Sequence, residues 1–170
     1  MLRIAGAALI SFAGFWAGQT AKERLKRHAA ALAGLASACS VMKSEISFLH
    51  TPPEEIISAL SVSSGPEAAF FKNMSRKLKI GARSVTAAWK SAIVEESEAM
   101  GLSAAERSEL TRLGESLGKY DLEGTLAFVS AAEMKFIAWA LAAAKRAEAD
   151  GKLYATLWTT SGLAAAILLL

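Results

Sequence analysis

The chain has 170 residues, a net charge of +3, a hydrophobic fraction of 53% and a mean hydropathy of +0.32. That length holds one modest domain, and the apolar excess over an ordinary soluble chain sits in two terminal runs, which argues against a purely soluble protein. The basic residues are interleaved with acids, which gives no support to a nucleic-acid binder, and the single cysteine, Cys39, excludes an intramolecular disulfide and every cysteine-based metal pattern.

The first apolar run, Ile4 to Gly18, carries Trp16 near its end and is followed at once by Lys22, Arg24, Lys26 and Arg27. Charge placed after the run is the pattern of a retained anchor, not of a cleaved signal peptide. Residues 1–21 are therefore expected to be an N-terminal transmembrane anchor. Its small residues, Gly6, Gly14 and Gly18, suit close packing against another helix. The same helix is expected to run on through Leu25, Leu32, Leu35, Val41, Met42 and Ile46, which fall near a 3.6-residue period and make one apolar face. Cys39 reads as a small apolar residue on that helix.

This helix is expected to stop near His50, where Thr51-Pro52-Pro53-Glu54-Glu55 signals a restart. Thr51 can cap, the prolines suit a first turn, and Glu54 and Glu55 favour the positive end of a new helix dipole. That helix carries Ile56, Ile57 and Leu60 and breaks at Ser63-Ser64-Gly65-Pro66. The next carries Phe70, Phe71, Met74 and Leu78 and ends near Gly81. Arg83 or Ser84 opens another, with Val85, Trp89, Ile93 and Val94 on its apolar face, ending at Gly101.

Ser103 and Glu106 have the spacing of a capping box, opening a helix with Leu110 and Leu113 that closes at Gly118. Asp121 is the expected cap of the last helix, which carries Leu126, Val129, Phe136, Ile137 and Leu141 on one side and Lys135, Lys145 and Arg146 on the other. Only Gly151 interrupts it, at a cost of about 1 kcal/mol, so helix can continue into the second apolar run. Leu153 to Leu170 contains no charged residue, with Tyr154 and Trp158 at its polar end. It meets the lower bound of the roughly 17–25 residues that a membrane crossing needs.

The expected fold is all-α: an antiparallel bundle of about six helices over residues 22–152, flanked by N- and C-terminal transmembrane helices at 1–21 and 153–170. Lys145, Arg146 and Lys152 precede the second span, so the basic residues beside both spans lie on the side of the middle domain, against Arg3 alone on the other. The positive-inside rule then puts the bundle in the cytoplasm and both chain ends across the membrane, a multi-pass topology that agrees with an unpaired Cys39.

No constellation with catalytic chemistry emerges. Glu54-Glu55 and Glu95-Glu96 are adjacent in helices, do not share a face and read as solvated charge. The run Gly114 to Lys119 lacks the spacing and the preceding strand of a phosphate loop. His50 reads as a terminal or surface residue, and Trp89 and Trp139 as core. No cofactor, metal site or enzymatic activity is expected.

Three segments carry a family resemblance across nearly the whole chain. The first is Glu45-Ile46-Ser47-Phe48 with Thr51-Pro52-Pro53-Glu54-Glu55-Ile56-Ile57-Ser58-Ala59-Leu60. The second is Leu113-Gly114-Glu115-Ser116-Leu117-Gly118 with Asp121, Glu123 and Gly124. The third is Gly151-Lys152-Leu153-Tyr154 with Gly162-Leu163 and the tail Ile167 to Leu170. Together they resemble the stage III sporulation protein AB family, from whose pattern Pro53, Thr125 and Ala155 depart.

The resemblance implies a component of the channel complex between mother cell and forespore, similar to the inner-membrane platform proteins of type II secretion and type IV pilus machines. It implies docking of a secretion-type ATPase of the same operon and contact with the other membrane proteins of the channel. Apart from the resemblance, a homo-oligomer stays open as a further partner. It also implies a mother-cell membrane location. Thr51, Pro52, Glu54, Glu55, Gly114, Gly118, Asp121, Gly124, Gly151, Lys152 and Tyr154 are the candidate contact or structural positions. The competing reading is a small membrane-bound regulatory or enzyme subunit whose active groups come from a partner.

Overall fold

The computed structural model describes the backbone of residues 2–49, 51–117 and 121–169, and the side chains of 16, 19–49, 51–117, 121–150 and 160. Among these residues there are six α-helices and no strand: α1 (Leu2–Ser44), α2 (Pro53–Leu60), α3 (Ala68–Lys79), α4 (Val85–Glu96), α5 (Ala104–Ser116) and α6 (Leu122–Leu169). A π-helical turn, Glu45–Leu49, continues α1. The all-α expectation and its six helices hold, and two helices, one at each end of the chain, are long and apolar enough to cross a membrane. On described side chains the stretches that meet this test are Gln19–Leu49 and Leu122–Asp150. The expected spans 1–21 and 153–170 are helical in backbone over 2–21 and 153–169, and most of their side chains lie outside the described residues.

The chain divides into two compact units, one of Arg27–Leu141 and one of Met1–Lys26 with Ala142–Leu170. Within the first, α2, α3, α4 and α5 pack each on the next in chain order. Its core is made by Leu32, Leu35 and Met42 of α1, Ile57 of α2, Phe70, Phe71 and Met74 of α3, Trp89 of α4, Leu110 of α5, and Val129 and Phe136 of α6. Phe70 and Trp89 meet edge to face with centroids 5.2 Å apart, and Phe71 stands 5.0 Å from Phe70. Edge-to-face ring pairs of this kind add to the plain burial of apolar area.

Local chemistry explains where the helices begin. Ser84 caps α4, accepting from the Ala87 N–H at 3.1 Å. Ser103 and Glu106 form the expected capping box at α5. Asp121 Oδ1 accepts from the Gly124 N–H at 3.0 Å in the first turn of α6. Gly81 and Gly101 follow α3 and α4 with φ of 91° and 71°, a left-handed conformation that costs glycine little.

The structure corrects several expectations. Thr51 does not cap α2: Pro52 occupies that position, with no side-chain cap, and the Thr51 hydroxyl donates to Glu45 instead. Val41, Val94, Ile137 and Leu141 are exposed, because each sits one residue beyond a position that faces inward or on a separate stripe. Trp139 is half-buried, its ring edge to face with Phe136 at 5.7 Å. Glu95 and Glu96 are not merely solvated: the Asn73 amide donates to both, at 2.7 and 2.8 Å, and so ties α3 to α4. His50 and the closing glycine Gly118 lie outside the described residues.

Candidate functional site

At one end of the Arg27–Leu141 unit α1 loosens into its π-helical turn, where α-helical carbonyl pairing shifts by one residue. Glu45 fastens the chain there. Its carboxylate accepts from the Thr51 hydroxyl at 2.7 Å, and its carbonyl accepts from the Thr51 N–H at 3.3 Å. The loop is thereby folded back so that Pro53 can open α2. Pro53 stands at the first helical position, where its missing N–H costs no helix hydrogen bond. On the other side, the Thr125 hydroxyl donates to the Ser116 carbonyl at 3.3 Å, joining the start of α6 to the end of α5.

These two fastenings bound an open cavity of about 250 Å³ lined by Ile46, Thr51, Pro53, Leu117, Asp121, Leu122 and Thr125. The first two sequence segments singled out above, far apart in the chain, therefore meet around one space. The π-helical turn that supplies Ile46 also presents Phe48 and Leu49, 82% and 68% exposed, and Leu122 is 43% exposed. Glu54 and Glu55 stand exposed in the first turn of α2, with Asp121 and Glu123 at the start of α6. Lys119 belongs to the same stretch of sequence and lies outside the described residues. Acids at helix N-termini are stabilised by the dipole, so these charges serve the helices that carry them.

Of the candidate positions, Thr51 and Asp121 line the cavity, while Pro52, Glu54, Glu55 and Gly124 belong to the two helix starts beside it. Gly114 is elsewhere in kind: it lies inside α5, buried, where a Cβ would overlap the Trp89 indole. The ring nitrogen of Trp89 donates to the Leu110 carbonyl at 2.8 Å across the same contact. Gly114 is thus a packing residue and not part of an exposed turn. Gly151, Lys152 and Tyr154 fall within α6 in the other unit, and their side chains, like Gly118, lie outside the described residues. The candidate positions omit Glu45 and, of the cavity lining, Ile46, Pro53, Leu117, Leu122 and Thr125. A carboxylate six residues ahead of a Thr-Pro-Pro restart was the available signal for Glu45.

Two further carboxylates are held by partners. Glu95 is brought down to about 2, first by the hydrogen bond from Lys77 and then by that from Asn73. At Glu106 burial pushes upward, but hydrogen bonds from His28 and from the Ser103 backbone and hydroxyl outweigh it and leave the group below its ordinary value.

The fold and this site define a class: an all-α protein with a candidate membrane-crossing helix at each end and an acidic, apolar-floored cavity between helix starts. The chain belongs to the stage III sporulation protein AB family, which matches residues 3–170. It is thus a member of a sporulation family. No curated protein and no solved structure matches the chain.

Proposed function

We propose that the protein is a non-enzymatic membrane scaffold of the secretion-like channel that joins mother cell and forespore, and that its helical unit docks a secretion-type ATPase. The supporting observation is the convergence of Thr51 and Pro53 with Leu117, Asp121, Leu122 and Thr125 on one open cavity, with Phe48, Leu49 and Leu122 exposed and Glu54, Glu55 and Glu123 exposed at the neighbouring helix starts. An apolar pocket with Asp121 in its wall and carboxylates at the adjoining helix starts fits a partner segment that presents an apolar side chain flanked by lysine or arginine. The bundle lies in the cytoplasm on this reading, held by both terminal helices, and the remaining channel proteins meet it in the membrane.

Binding of the full-length chain in detergent to the purified ATPase tests the docking step. Glu54→Lys with Asp121→Lys should weaken it by about tenfold or more, chiefly by reversing the local field. Undiminished binding would remove the cavity from the interface. Deleting the gene in the host should block spore formation and forespore gene expression after engulfment, and normal spores would sink the scaffold role.

A further inference from the structure

A second cavity, of about 270 Å³, lies between α1, α3 and the connection from α2; apart from Ala59 and Leu60 its lining lies outside the family segments, and the docking proposal uses none of it. Its walls include Ala38, Val41, Leu60 and Phe71. Its polar groups are Glu67 and Ser63 together with Ser37 at the edge. Glu67 is only 7% exposed, and no hydrogen bond or ion pair joins its carboxylate to another described residue. The Ser63 hydroxyl is buried and likewise has no partner among the described residues.

The carboxylate is housed by two glycines. A Cβ at Gly34, in the middle of α1, or at Gly65 would overlap it. Glycine inside a helix costs stability, so Gly34 is a departure from good helix chemistry that makes room for an acid. A carboxylate set in a cavity wall with no described cation against it gains from a counter-charge.

We propose that this cavity receives the cationic head of a lysine or arginine side chain carried by a partner protein, with Glu67 as its counter-charge and Ser63 as a second acceptor. A divalent metal is a poor match, since it wants about six oxygens, and among the described residues no three His, Cys, Asp or Glu groups cluster to hold one. A basic side chain matches both parts of the cavity. Its methylene stem lies along apolar walls while its head reaches a polar end. The mouth is open at Ser37, Val41 and Ala59, all exposed, so the side chain can enter from outside.

The test uses the isotope-labelled full-length chain in detergent micelles, titrated with Nα-acetyl-lysine methylamide and its arginine counterpart. The neutral control is Nα-acetyl-norleucine methylamide, and putrescine stands for a diffusible amine. The basic probes should give saturable shifts of the Gly34 and Ser63 amide signals, with norleucine about tenfold weaker or worse. Glu67→Gln should weaken the basic probes by about tenfold, and Ser63→Ala by about two- to fivefold. Ser63→Ala should leave the fold at least as stable, because it removes a buried hydroxyl without a partner, so it decides the matter even if Glu67→Gln fails to fold. Equal binding of norleucine, no saturable shift, or full binding by Ser63→Ala would overturn the proposal. Tighter binding of putrescine than of either blocked amino acid would overturn the assignment to a protein side chain.

Discussion

Gly114 sits inside α5, where alanine is normally the better residue by about 1 kcal/mol. The Trp89 ring lies where an alanine methyl would go, fixed by its hydrogen bond to the Leu110 carbonyl. Overpacking of a well-filled core costs about 1–3 kcal/mol, which exceeds the helix gain. Gly114→Ala should therefore destabilise the protein, measured as a lower denaturation midpoint with an unchanged slope. A midpoint that rises would mean the indole moves aside freely. Glu106 makes a second residue-scale case. Its folded value lies below its unfolded one, so its stabilisation is complete above the ordinary glutamate range and is lost as pH falls through the lowered value. Glu106→Gln should flatten that acid limb of the stability curve while leaving the limb set by other carboxylates. If the wild-type and variant curves stay parallel below the glutamate range, the His28 and Ser103 contacts are not what lowers this group.

The order and number of the elements were legible because three helix starts carry side-chain caps and α2 opens on a proline: Ser84, the Ser103–Glu106 box and Asp121 act through residues three apart or fewer. Which apolar residues face inward was less legible. Neighbours in a helix point about 100° apart, so Met42 and Ile93 take the core and leave Val41 and Val94 outside. On α6 two stripes have equally good spacing: Val129, Phe136 and Ala143 are buried, while Met134, Ile137 and Leu141 are exposed. Periodicity alone carries no information on which stripe finds a partner. The cavity at the helix starts was not legible either, because it depends on Glu45 turning the chain back through Thr51, a contact across a helix end that no propensity encodes. At this scale α6 carries its own prediction. It is helical in backbone through Gly151, from the bundle into the apolar tail. A flexible six-residue insertion at Gly151 should abolish sporulation if that continuity transmits assembly in the membrane to the bundle. The same insertion after Ala82, in the exposed turn between α3 and α4, should be tolerated. Equal spore counts from both insertions would rule the coupling out.

At the scale of the whole molecule, orientation rests on where the basic residues stand. Lys22, Arg24, Lys26 and Arg27 follow the first apolar run and Lys145, Arg146 and Lys152 precede the second, against Arg3 alone beyond them. Lysine and arginine within about 15–20 residues of a span are kept on the cytoplasmic side, and this bias sets the orientation. An inverted topology would have to carry seven flanking cations and the whole bundle across, where the proposed one carries Arg3 and the amino terminus. Alkaline phosphatase fused after Leu170 should therefore be active and a fluorescent protein at the same position dark. A fluorescent protein placed in the α3–α4 turn should be bright. The reverse pattern would put the acidic cavity and Glu67 on the side of the membrane away from cytoplasmic ATP, and an ATPase could not be the partner that docks there.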